Sequence, residues 1–346
     1  MKITSYVSNK IYVLNFVAIL MVLYIHSVYT EALDFPLAHR VQEFFGFGGL
    51  SLLANPLFYC ISGFLFFIGM QKANECWPKM KKRCRTLLVP YLIWNAVFVL
   101  WFIILQNLPV VRNFVNSDVV SSVFGNGVGK GLYYLLIKPA AFQLWFLRDL
   151  ILYVLFSPLI YILLKKMRWA FPVLLFVIAT VGLIYLPSEV KVWGLFFFVL
   201  GGYFALFRQN VEIPQWLTIT ATILYVGNAV MVAILPDLIK GISVLFMLCG
   251  VIAIWGGYDM IVKNENAKVT SFLAKLGTYS FFVYCFHEPV LNIIKKVGLK
   301  VAGCNDASLI VLYLACPIVM YCVAVLVAVL LKRYVPKVYA VLTGGR

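Results

Sequence analysis

Ile11–Tyr29 reads IYVLNFVAILMVLYIHSVY, nineteen residues without one formally charged side chain. At a rise of about 1.5 Å per residue the run makes a helix of roughly 28 Å, close to the hydrocarbon thickness of a bilayer. Lys2 and Lys10 precede it, as basic residues precede a secretory signal, but the apolar run is long and lacks a clear small-x-small cleavage site. It reads as a true membrane-spanning helix. Nine further stretches repeat the pattern: Leu50–Met70, Leu87–Gln106, Phe142–Leu164, Trp169–Leu186, Val192–Phe207, Trp216–Leu235, Ile242–Tyr258, Phe272–Ile294 and Leu309–Leu331. The predicted fold is therefore all-α and polytopic, about ten transmembrane helices in a single transmembrane domain over residues 1–346. The longest connection, Asn107–Ala141, has the length of a re-entrant or interfacial segment. Its GNGVGKG stretch (Gly125–Gly131) lacks the spacing of a phosphate loop and reads as a linker.

The whole composition agrees. Apolar residues make up 63% of the 346 and charged residues 12%, against about 45–50% and about 25% in soluble domains. A soluble protein of this mass has too little interior to hide so much apolar surface. The same figures exclude disorder, collagen, coiled coil and a disulfide scaffold. The net charge of +16 would point a soluble protein toward nucleic acid; in a membrane protein cationic cytoplasmic loops explain it, and no nucleic-acid partner is expected. The eight cysteines form no C-x-x-C pair and mostly lie in apolar runs, where a thiol packs as a small hydrophobe.

Basic residues also set the orientation. With the N-terminus inside, nineteen Lys and Arg fall on cytoplasmic segments, nine on outer segments and one, Arg148, within a span. Both termini are therefore expected in the cytoplasm. Ionisable groups inside spans are expensive and mark function by default: they are His26, Arg148, Asp149, His287 and Glu288. On this orientation all five lie toward the outer side, on three helices far apart in sequence. Against a shared role, His26 could simply bond across the bundle, Asp149 could neutralise Arg148, and adjacent helical residues such as His287 and Glu288 do not face each other. Three histidines so scattered give no metal site, and no Gly-x-Ser-x-Gly elbow is present. On the cytoplasmic side, KMKKRCR (Lys79–Arg85) precedes LLVPY. Such a cluster anchors a helix to anionic lipid, yet Arg83 and Arg85 at a helix entrance also suit a multiply phosphorylated ligand.

Five pieces in order, YVLNFVAILMVLYIHS, NPLFYCISGFLFF, KKRCRTLLVPYLIW, LWFLRDLIL and LGTYSFFVYCFHEPV, resemble the membrane-bound acyltransferase-3 family over nearly the whole chain. No hydrolase-like domain is present, so the chain resembles the stand-alone O-acetyltransferase type. The resemblance implies an enzyme of the bacterial inner membrane that takes an acyl group, often acetyl, from cytosolic acyl-CoA. The group goes to a hydroxyl of a carbohydrate or lipid-linked glycan, and no cofactor is permanently bound. It places the catalytic histidine on His26, the Ser-Gly-Phe of the second helix on Ser62, Gly63 and Phe64, the CoA-phosphate cluster on Arg83 and Arg85, the Trp-Phe-Leu-Arg stretch on Trp145–Arg148, and the late Tyr…His on Tyr284 and His287. One position departs: the family arginine eleven residues before the histidine is Asn15 here, so either Lys10 or the Arg83 cluster compensates, the donor differs, or activity is weakened.

An acceptor hydroxyl needs a base, and imidazole, with its ordinary pKa near 6.5, suits that task. His26 is expected as general base, or as acyl carrier; Arg148 as a stabiliser of negative charge; Glu288 or Asp149 as the group that orients a histidine; Ser62 as a packing residue. The rival reading is a glycan-related transporter or flippase, since spans carrying polar groups also describe a carrier. The orientation has a direct test. A cysteine at Asn305, with Cys304 removed, is expected to react with an impermeant thiol reagent in intact cells, and one at Asn264 is not; the reverse labelling overturns the orientation.

Overall fold

The computed structural model describes residues 3–108, 127–185, 191–208, 211–235, 243–262 and 267–345, and every regular element among them is helical. In chain order the α-helices are α1 (Ser5–His26), α2 (Pro36–Phe45), α3 (Ala54–Phe67), α4 (Cys76–Asn107), α5 (Gly127–Leu136), α6 (Trp145–Leu155), α7 (Ser157–Met167), α8 (Ala170–Tyr185), α9 (Val192–Phe207), α10 (Gln215–Ile234), α11 (Ser243–Ile261), α12 (Lys268–Gly277), α13 (Ser280–Ala302), α14 (Asp306–Tyr334) and α15 (Pro336–Thr343). The fold is that of a multi-pass membrane protein. Five of these helices, α1, α4, α10, α11 and α14, are long and apolar enough to cross a bilayer. The pairs α6–α7 and α12–α13, bent by 63° and 59°, raise the number to seven if each is one crossing. α3, α8 and α9 are apolar but shorter. By length and composition the described helices thus supply five to seven crossings, against the ten apolar stretches read from the sequence.

The expected second span, Leu50–Met70, becomes α-helical only at Ala54. Its first residues turn over α10 instead: the Tyr225 hydroxyl donates to the Leu50 carbonyl at 2.7 Å, and the Asn228 amide to the Gly48 carbonyl at 3.0 Å. The Asn107–Ala141 connection ends in α5, held by a buried amide on α4. Asn95 donates to the carbonyls of Tyr134 and Leu135 and accepts from the Ala141 N–H at 3.0 Å. Of the GNGVGKG stretch, Gly127–Gly131 opens α5, and residues 125–126 lie outside the described residues.

α3 and α9 meet backbone to backbone. A Cβ at Gly63 would stand 1.9 Å from the Phe198 carbonyl oxygen, and one at Gly201 would stand 1.9 Å from that of Cys60. Between apolar helices in lipid, close approach at small residues is the main source of attraction, and any side chain here would push the pair apart.

α1 lies at the centre of the molecule, packed on α3, α11, α12, α13 and α14. Lys10 is not in a loop, as the charge count had placed it, but on the inner face of α1, only 2% exposed. Its ammonium bonds both oxygens of Asp259 on α11 at 2.7 Å, lies 4.1 Å from the Trp255 ring centre, and shares Asp259 with the Tyr6 hydroxyl. Removing one member leaves a charge stranded in a low-dielectric setting, which destabilises more than the pair itself stabilises. Asp259→Leu is expected to cost about 3 kcal/mol, and the double variant Lys10→Met/Asp259→Leu to recover most of it. Thermal melts of the purified protein in detergent measure both.

Candidate active site

Two helix ends build the site. α1 terminates at His26, and its last carbonyls would stand unpaired; Lys295 on α13 donates to the Val28 carbonyl at 2.6 Å and to the His26 carbonyl at 3.3 Å. That cap pins the end of α1 to α13. α13 in turn is broken at Glu288, whose φ/ψ of −93°/135° is extended inside the helix. Pro289 follows it, and a proline disfavours helical angles in the residue before it. The break overturns the helical objection from sequence. His287 and Glu288 are adjacent, yet both turn toward His26. The His26 and His287 ring centres lie 5.0 Å apart, and the Glu288 carboxylate lies 4.0 Å from His26 Nδ1.

His287 is fully buried, and its Nδ1 lies 2.7 Å from the Tyr284 carbonyl. That bond puts the proton on Nδ1 and leaves a lone pair on Nε2, which has no partner among the described residues. His26, with its side chain 20% exposed, is the more accessible of the two. Glu288 is held by the Asn292 amide one turn along α13. The trio can pass a proton between a reachable imidazole, a buried imidazole and a carboxylate. It is also the group of described residues whose donor atoms come near enough to consider for a metal ion, all within 4.8 Å. Ligands around a tetrahedral zinc with bonds of about 2.1 Å stand only about 3.4 Å apart, so the trio is wider than a metal-bound set.

Arg148 and Asp149 do not join the trio. The guanidinium bonds the Asp149 carboxylate at 2.6 and 2.8 Å and the Ile137 carbonyl at 2.9 Å. Their stretch of chain contributes instead through its rings: Phe142 lies 5.6 Å from the His26 ring and Phe146 lies 5.7 Å from Tyr284.

A cavity of about 630 Å³ occupies the part of the molecule near the start of α1. Its polar lining includes Ser8 and Asn15 of α1, Ser62 of α3, Arg83 of α4, Ser280 and Tyr284 of α13 and Lys332 of α14, among mostly apolar walls. Asn15 thus faces the cavity, about 16 Å along α1 from His26. Tyr284 joins the two regions. It lines the cavity, its hydroxyl donates to the Gln143 carbonyl, and its own carbonyl holds His287. A smaller cavity of about 330 Å³ adjoins at Leu65, Phe66 and Arg83, and adds Lys79, Lys82, Thr86, Gly344 and Gly345. Arg85, two residues beyond Arg83 and therefore on another face of α4, is exposed and lines neither cavity. Lys10, committed to Asp259, does not compensate for Asn15. Sequence reasoning passed over Lys295, Asn292 and Lys332. The first two carry a usable signal, lying four and seven residues after Glu288 on one helical face; Lys332 in the last turn of a long helix carries none.

A histidine pair and a carboxylate thus meet at one end of α1, and a cavity bordered by Arg83 and Lys332 lies toward the other. The comparisons supply the class. Residues 10–333 match the acyltransferase-3 family, described as an acyltransferase domain, and the chain belongs to that family; it is a membrane acyltransferase. Among curated proteins it is similar to the succinoglycan biosynthesis protein ExoH of Rhizobium meliloti (strain 1021), with 27% identity over 312 residues, 84% of this chain and 78% of the relative. No solved structure matches.

Proposed function

We propose that this acyltransferase moves an acyl group, acetyl in the first instance, from cytosolic acyl-CoA to a hydroxyl of a carbohydrate or lipid-linked glycan. The placement of His26 carries the reading: a reachable imidazole 4.0 Å from a carboxylate, on the same central helix that lines the cation-bearing cavity. The similarity to a succinoglycan biosynthesis protein supports a cell-surface polysaccharide, or its precursor, as acceptor. The site then lies in the bacterial inner membrane, with the donor cavity toward the cytoplasm.

Glu288 faces Nδ1 of His26 and favours the tautomer with its proton there, so Nε2 is the base. The 4.0 Å separation is longer than a hydrogen bond, and catalytic contacts of this kind commonly tighten only with substrate bound. As Nε2 takes the hydroxyl proton, the acceptor oxygen attacks the thioester carbonyl. When the tetrahedral intermediate collapses, the carbon–sulfur bond breaks and the imidazolium returns its proton to the thiolate. Glu288 offsets the positive charge on His26, and His287, fixed through Tyr284, holds the imidazole in place. Acyl transfer to His26 itself is the variant in which Nε2 is nucleophile. At the donor end, Arg83 meets the phosphates of CoA.

His26→Asn keeps one hydrogen bond but neither takes up a proton at neutral pH nor attacks a thioester. General-base assistance is worth roughly 10²–10⁴ in rate. Turnover of acetyl-CoA by the purified His26→Asn protein is therefore expected to fall at least about a hundredfold with folding intact, and His287→Asn to cost less. An active His26→Asn enzyme moves the base elsewhere. A second expectation separates two arginines that the sequence treats alike. Arg83→Gln raises the KM for acetyl-CoA, and Arg85→Gln leaves it unchanged at equal protein abundance. Equal effects of the two point to lipid anchoring instead.

A further inference from the structure

The donor cavity carries a cation that neither the sequence motifs nor the family assignment singles out. We propose that Lys332, reaching into the cavity from the last turn of α14, is a donor-phosphate-binding residue, and that it supplies from that side the charge missing from α1 at Asn15. The inference rests on the acyl-CoA reading above and names a residue that reading does not require.

Arg83 and Lys332 stand on the wall of the same 630 Å³ space, on different helices, while α1 offers that space only neutral groups such as Ser8, Tyr12 and Asn15. Among the described residues no Asp or Glu lines this cavity or the smaller one beside it. Arg83 is half-buried and Lys332 is exposed at the rim; two cations facing one apolar-walled space suit an anion as the ligand. Two other cations at this end are already committed. Lys10 is bound to Asp259, and Lys79 donates to the Phe66 and Ile68 carbonyls at 2.9 and 2.8 Å, closing the end of α3. Lys332 has no hydrogen-bond or ion-pair partner among the described residues. Ser280 points the same way: its hydroxyl oxygen is buried on the wall of that cavity without a partner among the described residues.

Arg83 belongs to both cavities and so stands at their junction, with Lys82 on one side and Lys332 on the other. That arrangement suits a ligand with phosphates at two positions and a long neutral arm, the arm running along the apolar wall toward Tyr284. A lysine in the last turn of a membrane helix has another explanation, attraction to anionic lipid headgroups. Arg333, next along the chain, lies against the Tyr334 ring instead, 5.6 Å from its centre, and serves as the control for that explanation.

The test compares two donors on purified enzyme at matched concentration: acetyl-CoA, and S-acetyl-N-acetylcysteamine, which keeps the thioester and lacks every phosphate. Lys332→Gln is expected to raise the KM for acetyl-CoA by about tenfold, the loss of one charge-assisted contact, with kcat within about twofold. The KM for the short thioester stays the same. Lys332→Arg restores the acetyl-CoA value, and so does Asn15→Arg placed on the Lys332→Gln background. An unchanged KM in Lys332→Gln, an equal loss with both donors, or an equal loss in Arg333→Gln overturns the assignment. If Lys332→Arg rescues and Asn15→Arg does not, the exchange of charge between α1 and α14 is refuted. A wild-type protein that consumes no acetyl-CoA refutes the function itself, which is a separate result.

Discussion

In hydrocarbon no water completes a polar group, so each one must find a protein partner within reach. That constraint arranges this molecule. Lys10 must meet Asp259, which draws α11 against the start of α1. Asn95 must use its amide, which docks α5 and the chain after it on α4. The open carbonyls at the end of α1 must be bonded, and Lys295 does so from α13. Apolar side chains would accept many packings of similar quality, since lipid tails are as apolar as leucine. The polar pairs accept far fewer, and they fix which helix lies beside which. The Gly63–Gly201 contact between α3 and α9 adds the steric version of the same selectivity.

One consequence is that the site is assembled by bonds that do no chemistry. His26 stands where it does because Lys295 holds the end of α1, and His287 because the Tyr284 carbonyl holds its Nδ1. Glu288 faces His26 only because α13 breaks at that residue. Preorganisation of this kind matters in acyl transfer, where a base about 1 Å out of place loses much of its effect. In the proposed function these supports account for a catalytic trio spread over two helices and built at the ends, where backbone groups are free to be capped, rather than at mid-helix.

The sequence made the all-helical membrane class legible because bilayer thickness leaves a length signature, and five of the described helices, or seven with the two bent pairs, are long and apolar enough to cross. It made His26, His287 and Glu288 legible one at a time, since an ionisable group in an apolar run stands out. Their convergence was not legible. It depends on a break in α13 that reverses the rule for adjacent helical residues, and on long-range packing that no local pattern encodes. Lys10 shows the converse error. A lysine a few residues ahead of an apolar run looks like a cytoplasmic flank, and only the presence of Asp259 on α11 shows that it is interior. Arg83 and Arg85 read as one basic cluster, although two residues along a helix turn the side chain by about 200° and send one inward and the other out.

The two ends of α1 impose opposite demands. Near its start the helix borders a cavity with cations and no carboxylate, suited to a ligand that is anionic and enters from water. Near its end a carboxylate and two imidazoles sit among aromatic rings, suited to moving a proton with water excluded. The cation at that end, Lys295, is bonded to the His26 and Val28 carbonyls and serves as the cap of α1. In the proposed function, the roughly 16 Å between Asn15 and His26 is the gap that the long neutral arm of the donor spans. Tyr284, with its ring on the cavity wall and its carbonyl on His287, stands at the crossing. In the proposed function, filling the cavity therefore bears directly on the residue that fixes the buried imidazole, and donor binding is coupled to the geometry of the base.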